Sequence, residues 1–261
     1  MSSYRLFHSA TQFGSRTVRK VITVAGQKLM GTISHVQTQQ SVMALTFDDG
    51  PHPIFTPRLL KLLEKHGAHG TFFMLGKAAE KHPQLVKQVA ESGHAIGNHS
   101  YDHPSFPLIT SRERRIQLRN CANATAPYGH RFFRPPFGDQ NVLSYIDAFI
   151  LGYKVVTWNV VAQDWLDHSA EWMAERLIKN ARPGSIILLH DALALSLNES
   201  YCSRDTMLET LNIFLAQLSS NFRFVTVNEL LRYGPPVRKV WKQEPNPQFL
   251  SQLKLPIKSY F

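Results

Sequence analysis

The sequence has little cysteine: Cys121 and Cys202 are the two in 261 residues. Neither sits in a CxxC pattern, so thiolate metal ligation is not indicated, and two free thiols are expected unless the fold brings them together. There is no run of about 18 apolar residues, which excludes a transmembrane helix. No clean secretory leader is present either. The apolar patch "VITVAG" is broken at once by Gln27 and Lys28, with no small-residue cleavage site after a longer apolar stretch. The expected location is therefore cytoplasmic or peripheral to a membrane, with export through an unrecognised signal left open. Charged residues make up only 18% of the chain against 43% hydrophobic, a globular composition rather than a disordered one.

Acidic residues are also absent from the start of the chain, and the first is Asp48. The formal net charge is +10, and it belongs to the ends. Residues 1–40 carry five Lys/Arg and no acid, residues 232–261 carry six against Glu244, and residues 41–231 balance at 18 of each sign. A near-neutral middle argues against an enzyme with a basic nucleic-acid channel, so no nucleic-acid partner is expected.

That middle alternates strands with helices. Apolar, β-favouring runs occur at Ser41–Phe47, Gly70–Leu75, His94–Gly97, Arg131–Arg134, Lys154–Trp158, Ser185–Leu189 and Arg223–Val227. Helical stretches separate them. "TPRLLKLLEKHG" has Thr56 as expected N-cap and Pro57 at the first helical position, and "HPQLVKQVAESG" repeats the design. "SAEWMAERLIKNARPG" and "RDTMLETLNIFLAQLSSN" are two more. About seven strands in β/α alternation predict an α/β fold with a parallel sheet. No glycine-rich dinucleotide fingerprint follows the first strand, so a distorted (β/α) barrel is expected rather than a doubly wound sheet. Chemistry in such barrels gathers at the C-terminal ends of the strands. The expected organisation is a basic N-terminal extension (1–40), a catalytic domain (41–232) and an extended, proline-containing basic tail (233–261).

The first of those strand ends reads "ALTFDDGPHP" and places Asp48 beside Asp49. Two adjacent carboxylates repel, and burying them is costly without a counter-charge. A glycosidase pair is excluded, because such acids stand ~5–10 Å apart across a bond and cannot be chain neighbours. The next strand end carries "NHSYDH", with His99 and His103 four apart. That spacing suits two imidazoles on one face of a helical turn. With one carboxylate they form a two-histidine, one-acid set suited to a divalent cation with open positions. The cation would be the missing counter-charge, held by one Asp while the other stays free beside it.

"TFDDGP" and "HSYDH" resemble the first two motifs of the polysaccharide deacetylase family, also called the NodB-homology domain or carbohydrate esterase family 4. The later motifs follow in order as "RFFRPPFG" (131–138), "WNVVAQDW" (158–165) and "IILLHD" (186–191). The resemblance covers about residues 41–231 and neither tail. It implies a barrel of NodB-homology type and metal-dependent removal of acetyl groups from a sugar polymer or oligosaccharide, releasing acetate. It further implies that Asp49, His99 and His103 bind one divalent metal ion, usually zinc, with cobalt or another ion as alternatives. By the same resemblance Asp48 is the general base, Arg134 orients it, His190 is the general acid and Asp164 supports His190. Leu188 and Leu189 read as core strand, and the resemblance implies that a leucine here, Leu188, helps wall the acetyl pocket. One departure is Val161, where family members often carry an acid; this bears on substrate preference.

The chemistry agrees with those roles on its own terms. A metal polarises an amide carbonyl and lowers the pKa of bound water to ~7. A free carboxylate can then take the proton, and an imidazole, whose ordinary pKa lies near neutrality, can protonate the departing amine. Pro135 and Pro136 carry no N–H, so Phe137 bears the first donor after Arg134. Held by that stiff backbone, it could face a developing oxyanion, or the segment could be only a rigid loop. Trp165 and Phe137 are expected to stack on sugar rings, and Trp158 is read equally as groove or core. His52, His66, His69, His82 and His94 read as surface or structural residues, and Cys121 as a buried helix residue.

Three functions follow. The first is a deacetylase of N-acetylated sugars in a chitin-, peptidoglycan- or exopolysaccharide-like glycan. The second is hydrolysis of a non-sugar amide on the same fold, and the third a non-catalytic glycan-binding module. Outside the resemblance, Val18, Ile22, Ala25, Leu29 and Ile33 form one apolar stripe if "SRTVRKVITVAGQKLMGTI" is helical. With Arg16, Arg19, Lys20 and Lys28 that would be a basic helix able to lie on an anionic membrane. The alternatives are an organelle transit peptide or a strand-bearing extension packed on the barrel, since Val, Ile and Thr favour strands.

Overall fold

The computed structural model of the chain describes residues 31–254. Its strands are β1 (Thr32–Val36), β2 (Val42–Asp48), β3 (Gly70–Met74), β4 (Ala95–Asn98), β5 (Gly129–Phe133), β6 (Lys154–Val155), β7 (Val160–Val161), β8 (Ile186–His190), β9 (Arg223–Phe224) and β10 (Pro236–Lys239). The helices are α1 (Phe55–Lys65), α2 (Gly76–Lys81), α3 (Pro83–Glu91), α4 (Ser111–Ala124), α5 (Val142–Ile150), α6 (Ala170–Asn180), α7 (Asp205–Leu218), α8 (Val227–Leu230) and α9 (Pro247–Gln252). No helix among the described residues is long and apolar enough to cross a membrane.

The main sheet runs β6-β5-β4-β3-β2-β8-β7, every pair parallel, with β9 adding to the start of β2. All seven expected strands are present. The two-residue β7 was not foreseen, because two valines are too short a signal. It marks the curl: β6 and β7 lie at opposite ends of the sheet order, yet only four residues separate them in sequence. The segment between them therefore draws the two edges together into a distorted barrel.

Alternation along β2 divides the core. Met43, Leu45 and Phe47 pack against helix residues such as Leu59, Leu63, Leu211 and Phe214 in one cluster. Val42 and Ala44 belong to a second cluster inside the barrel with Ile33, Phe73, Val156 and Ile186. The period of two carries this inner face on to Thr46 and Asp48. Both side chains meet the same buried arginine, described below.

Three expectations are corrected. Helix α1 starts at Phe55 with Ile54 as its N-cap. Thr56 lies inside the first turn, where its hydroxyl accepts from the His52 N–H and donates to Asp191. His99 and His103 do not share a helical turn; they lie in an irregular loop in which Ser100 (φ 75°) and His103 (φ 67°) are left-handed. The third concerns the tails. Thr32–Val36 and Pro236–Lys239 pair as antiparallel strands, with further bridges from Ile33 to Val156 and from His35 to Ser185. Ile33 is therefore a buried strand residue, and the strand alternative describes this end of the extension. The rest of the expected amphipathic stripe, with its basic residues, lies outside the described residues. Only long-range pairing reveals β10, since neither its composition nor its four-residue length marks a strand.

Candidate metal and catalytic site

Parallel register sets the site. Asp48 is level with His190 on β8 and with Phe73 on β3. His99 follows β4 and Arg134 follows β5. All the strand-end residues therefore meet at the C-terminal rim, where a cleft of about 350 Å³ opens. Asp48, Asp49, His99, His103, Phe137, Trp158, Trp165, Leu188 and His190 all line it.

The two acids have different surroundings. Arg134 is fully buried and its Nη1 donates to Asp48 Oδ1 at 2.7 Å and to Thr46 Oγ1 at 2.8 Å. The rest of the guanidinium donates to the carbonyls of Val156 (3.3 Å) and Thr157 (3.0 Å), over the Phe73 ring. A buried charge is tolerated when paired and hydrogen-bonded in this way. Asp49, the next residue, would point to the other face if the strand continued. Its backbone instead turns left-handed (φ 75°), and its Oδ1 reaches His99 Nε2 and His103 Nε2, each at 3.3 Å. Its Oδ2 accepts from the Ala194 N–H at 2.8 Å.

Asp49 Oδ1 is buried and has no hydrogen-bond partner. His99 Nδ1–H donates to the Arg134 carbonyl at 2.8 Å, which leaves Nε2 with its lone pair facing Asp49. Among the described residues, Asp49, His99 and His103 form the group able to hold a metal ion, their donor atoms lying within 4.8 Å of one another. Donors about 2.1 Å from a shared ion stand about 3.0–3.4 Å apart, so the 3.3 Å separations fit one. Burial opposes ionisation of Asp49, but His103 and His99 outweigh it and hold the carboxyl well below its usual range. Burial pushes His103 down to about 4, against the attraction of Asp49. Burial thus favours the neutral form of the His103 imidazole, the state that ligates.

On the opposite wall, His190 Nδ1–H donates to Asp164 Oδ1 at 3.0 Å and the His190 backbone N–H to Oδ2 at 2.9 Å. Nε2 is the ring nitrogen not engaged by Asp164. Sequence reasoning missed Arg204, also buried, which donates to the Asp164 carbonyl at 2.9 Å. Burial would lower His190, but Asp164, then Asp49 and Asp48, push it up to about 9. In metal-free protein the His190–Asp164 pair therefore stabilises the fold fully below the unfolded value of ~6.5. That stability is lost as pH rises through about 9. Thermal melting between those limits should show the loss, and Asp164→Asn should flatten it.

Asp191, quoted in the last motif without a role, is wholly buried, and burial pushes it up to about 7. Its carboxyl lies under Gly50, where a Cβ would come within 2.2 Å of Oδ2. The glycine after the two acids is thus demanded by close approach. The expected roles for Trp158 were groove or core, and it serves both, lining the cleft and packing on Arg134 and Trp241. Phe137 is left-handed (φ 58°) with its ring edge on His103. Asp49, Ser100, His103 and Phe137 are four of the five left-handed non-glycine residues described. Such strain, ~1–3 kcal/mol each, collects where a site over-determines the backbone. Cys121 is buried in α4 and both cysteines are free.

The family model for polysaccharide deacetylase matches residues 35–156. A peptidoglycan-N-acetylglucosamine deacetylase of Bacillus cereus is 36% identical over 195 residues, covering 73% of this chain and 68% of that protein. The chain belongs to the polysaccharide deacetylase family. A chitooligosaccharide deacetylase of Azorhizobium caulinodans is 37% identical over 169 residues, covering 62% of this chain and 80% of the relative. Among solved structures, the Bc1960 peptidoglycan N-acetylglucosamine deacetylase, bound to 4-naphthalen-1-yl-N-oxidanyl-benzamide, superposes with a TM-score of 0.73 at 30% identity. That match covers 83% of this chain and all of the other. Family membership makes the chain a hydrolase of the carbohydrate esterase class, and its curled parallel sheet is the family's fold.

Proposed function

We propose that the protein removes acetyl groups from N-acetylated sugars of a polysaccharide or oligosaccharide, using one divalent ion, zinc before cobalt, held by Asp49, His99 and His103. The observation that carries this reading is the unlike pair of neighbouring acids. Asp48 is paired with Arg134, while Asp49 turns a partnerless oxygen toward two imidazoles. A divalent ion at that site supplies Lewis acidity for the acetyl carbonyl and for water. Asp48, held in place by Arg134, takes the proton of the attacking water. The Phe137 N–H donates to the developing oxyanion. Leu188 walls the space beside the acetyl methyl, and Trp165 and Phe137 offer faces to the sugar. His190 protonates the departing nitrogen, oriented by Asp164. Water adds to the carbonyl carbon, and when the carbonyl re-forms the C–N bond breaks to the protonated nitrogen, leaving acetate and an amino sugar.

The test is acetate release across chitin oligomers, peptidoglycan, xylan and capsule-type polymers, with zinc, with cobalt and with chelator. Chelation should abolish release and either metal should restore it. A second reading, hydrolysis of a non-sugar amide, draws on the apolar lining of the cleft, which includes Leu193, Leu195 and Leu197. Turnover of small amides without acetate release from any glycan would favour it.

His190→Ala should separate leaving groups. A basic amine must be protonated as it departs and an activated phenol need not be, so loss on an N-acetyl sugar should be ~10²-fold or more, with little loss on an aryl acetate. Equal losses on both would remove His190 from the acid role.

A further inference from the structure

The C-terminal segment after β10 crosses the cleft. At one side the Gln140 and Gln243 backbones exchange hydrogen bonds (3.0 and 3.1 Å). Gln243 Nε2 donates to the Phe137 carbonyl and Trp241 Nε1 to that of Gly138, each at 2.8 Å. At the other side Ser196 and Lys254 exchange backbone hydrogen bonds (3.0 and 2.9 Å). Between these anchors runs α9, capped by Asn246, and Phe249 and Leu253 form part of the cleft wall. The segment thus ties the Phe137 rim to the loop that follows His190, as a continuous strap.

We propose that this strap makes the cleft a blind pocket, so that the enzyme works on a terminal N-acetyl sugar or a short oligosaccharide rather than on units inside a long chain. The proposal rests on the deacetylase reading above. A glycan threaded through the cleft must leave it on both sides of the reacting sugar. On the strap side it would meet main chain held at both ends by hydrogen bonds. The side chains there give the hydroxyls of a second sugar few hydrogen-bond partners. Leu193, Leu195, Leu197, Phe249 and Leu253 are apolar. The Ser196 hydroxyl is engaged with the Asn198 carbonyl and the Gln243 amide N–H with that of Phe137. Hydroxyls of a further sugar would lose water there without replacement partners. The strap lies beyond residues 35–156, where the family model matches.

The experiment is product mapping with the full chain, loaded with zinc, on N-acetylglucosamine oligomers from disaccharide to hexasaccharide. Mass-spectrometric sequencing locates the freed amine. The amine is expected at one terminal sugar at every length, with a rate per chain that levels off at short oligomers. In a Phe249→Ala, Leu253→Ala double variant the ratio of internal to terminal product should rise about tenfold, the scale at which apolar pocket contacts discriminate. Deacetylation of internal units of the hexasaccharide by the wild type, as readily as of its ends, would overturn the proposal while leaving the deacetylase reading intact. If the double variant fails to fold, the wild-type map alone decides. Turnover of none of the oligomers, with small amides hydrolysed, would overturn both readings.

Discussion

Asp48→Asn is expected to lower turnover by ~10²–10⁴-fold while leaving the metal in place, and Asp49→Asn to lose metal and turnover together. The prediction follows from two carboxylates that are chain neighbours but electrostatic opposites. Asp48 Oδ1 is bound to Arg134 and its Oδ2 stands 3.7 Å from His99 Nε2. Asp49 Oδ1 stands 3.3 Å from both imidazoles. An amide in place of Asp48 cannot accept a proton from water but keeps the shape beside the donor set. An amide in place of Asp49 removes the anionic ligand. His99→Ala and His103→Ala should follow Asp49→Asn. Metal analysis by mass spectrometry, run beside acetate release, checks all four variants. Retention of metal by Asp49→Asn with its loss from Asp48→Asn would reverse the assignment.

Arg134→Leu is expected to destabilise the protein by ~3–5 kcal/mol, the cost of stranding a buried carboxylate. Arg134 is wholly buried and Asp48 nearly so. Removing the arginine leaves the Asp48 carboxylate, the Thr46 hydroxyl and two carbonyls without their donor. Lysine should rescue poorly, because one ammonium cannot reproduce the planar fork that serves all four. Urea unfolding of the metal-free protein measures the loss. The Asp48→Asn, Arg134→Leu double variant should be less destabilised than the sum of its parts, since a neutral amide no longer needs the counter-charge. Additive losses would show that Arg134 acts through packing on Phe73 and Trp158 rather than through Asp48.

Much of the site was legible in the sequence because it is made at strand ends. A parallel strand is a run of apolar residues, and where the run stops the chain is at the rim of the barrel. Asp48, His99, Arg134 and His190 each stand at such a stop. The order of elements and the unlike needs of two adjacent acids were likewise open to inspection. Other features depended on pairing between distant segments, which leaves no local trace. The two-residue β7, the antiparallel pairing of Thr32–Val36 with Pro236–Lys239 and the strap that follows it are of this kind. Arg204 behind Asp164 is another, at 40 residues' separation. The spacing of His99 and His103 suggested a helical turn. Two left-handed residues in a loop bring the same two rings together, because i and i+4 can meet in more than one backbone conformation.

By itself, then, the sequence determined which residue types stand at the ends of buried strands, because apolar runs and their abrupt ends are local properties of the chain. Only the tertiary structure decided that Asp49 faces the same way as Asp48. Strand alternation sends successive side chains to opposite faces, and it is the left-handed turn at Asp49, whose carboxylate accepts from the Ala194 N–H, that brings both carboxylates into one cleft.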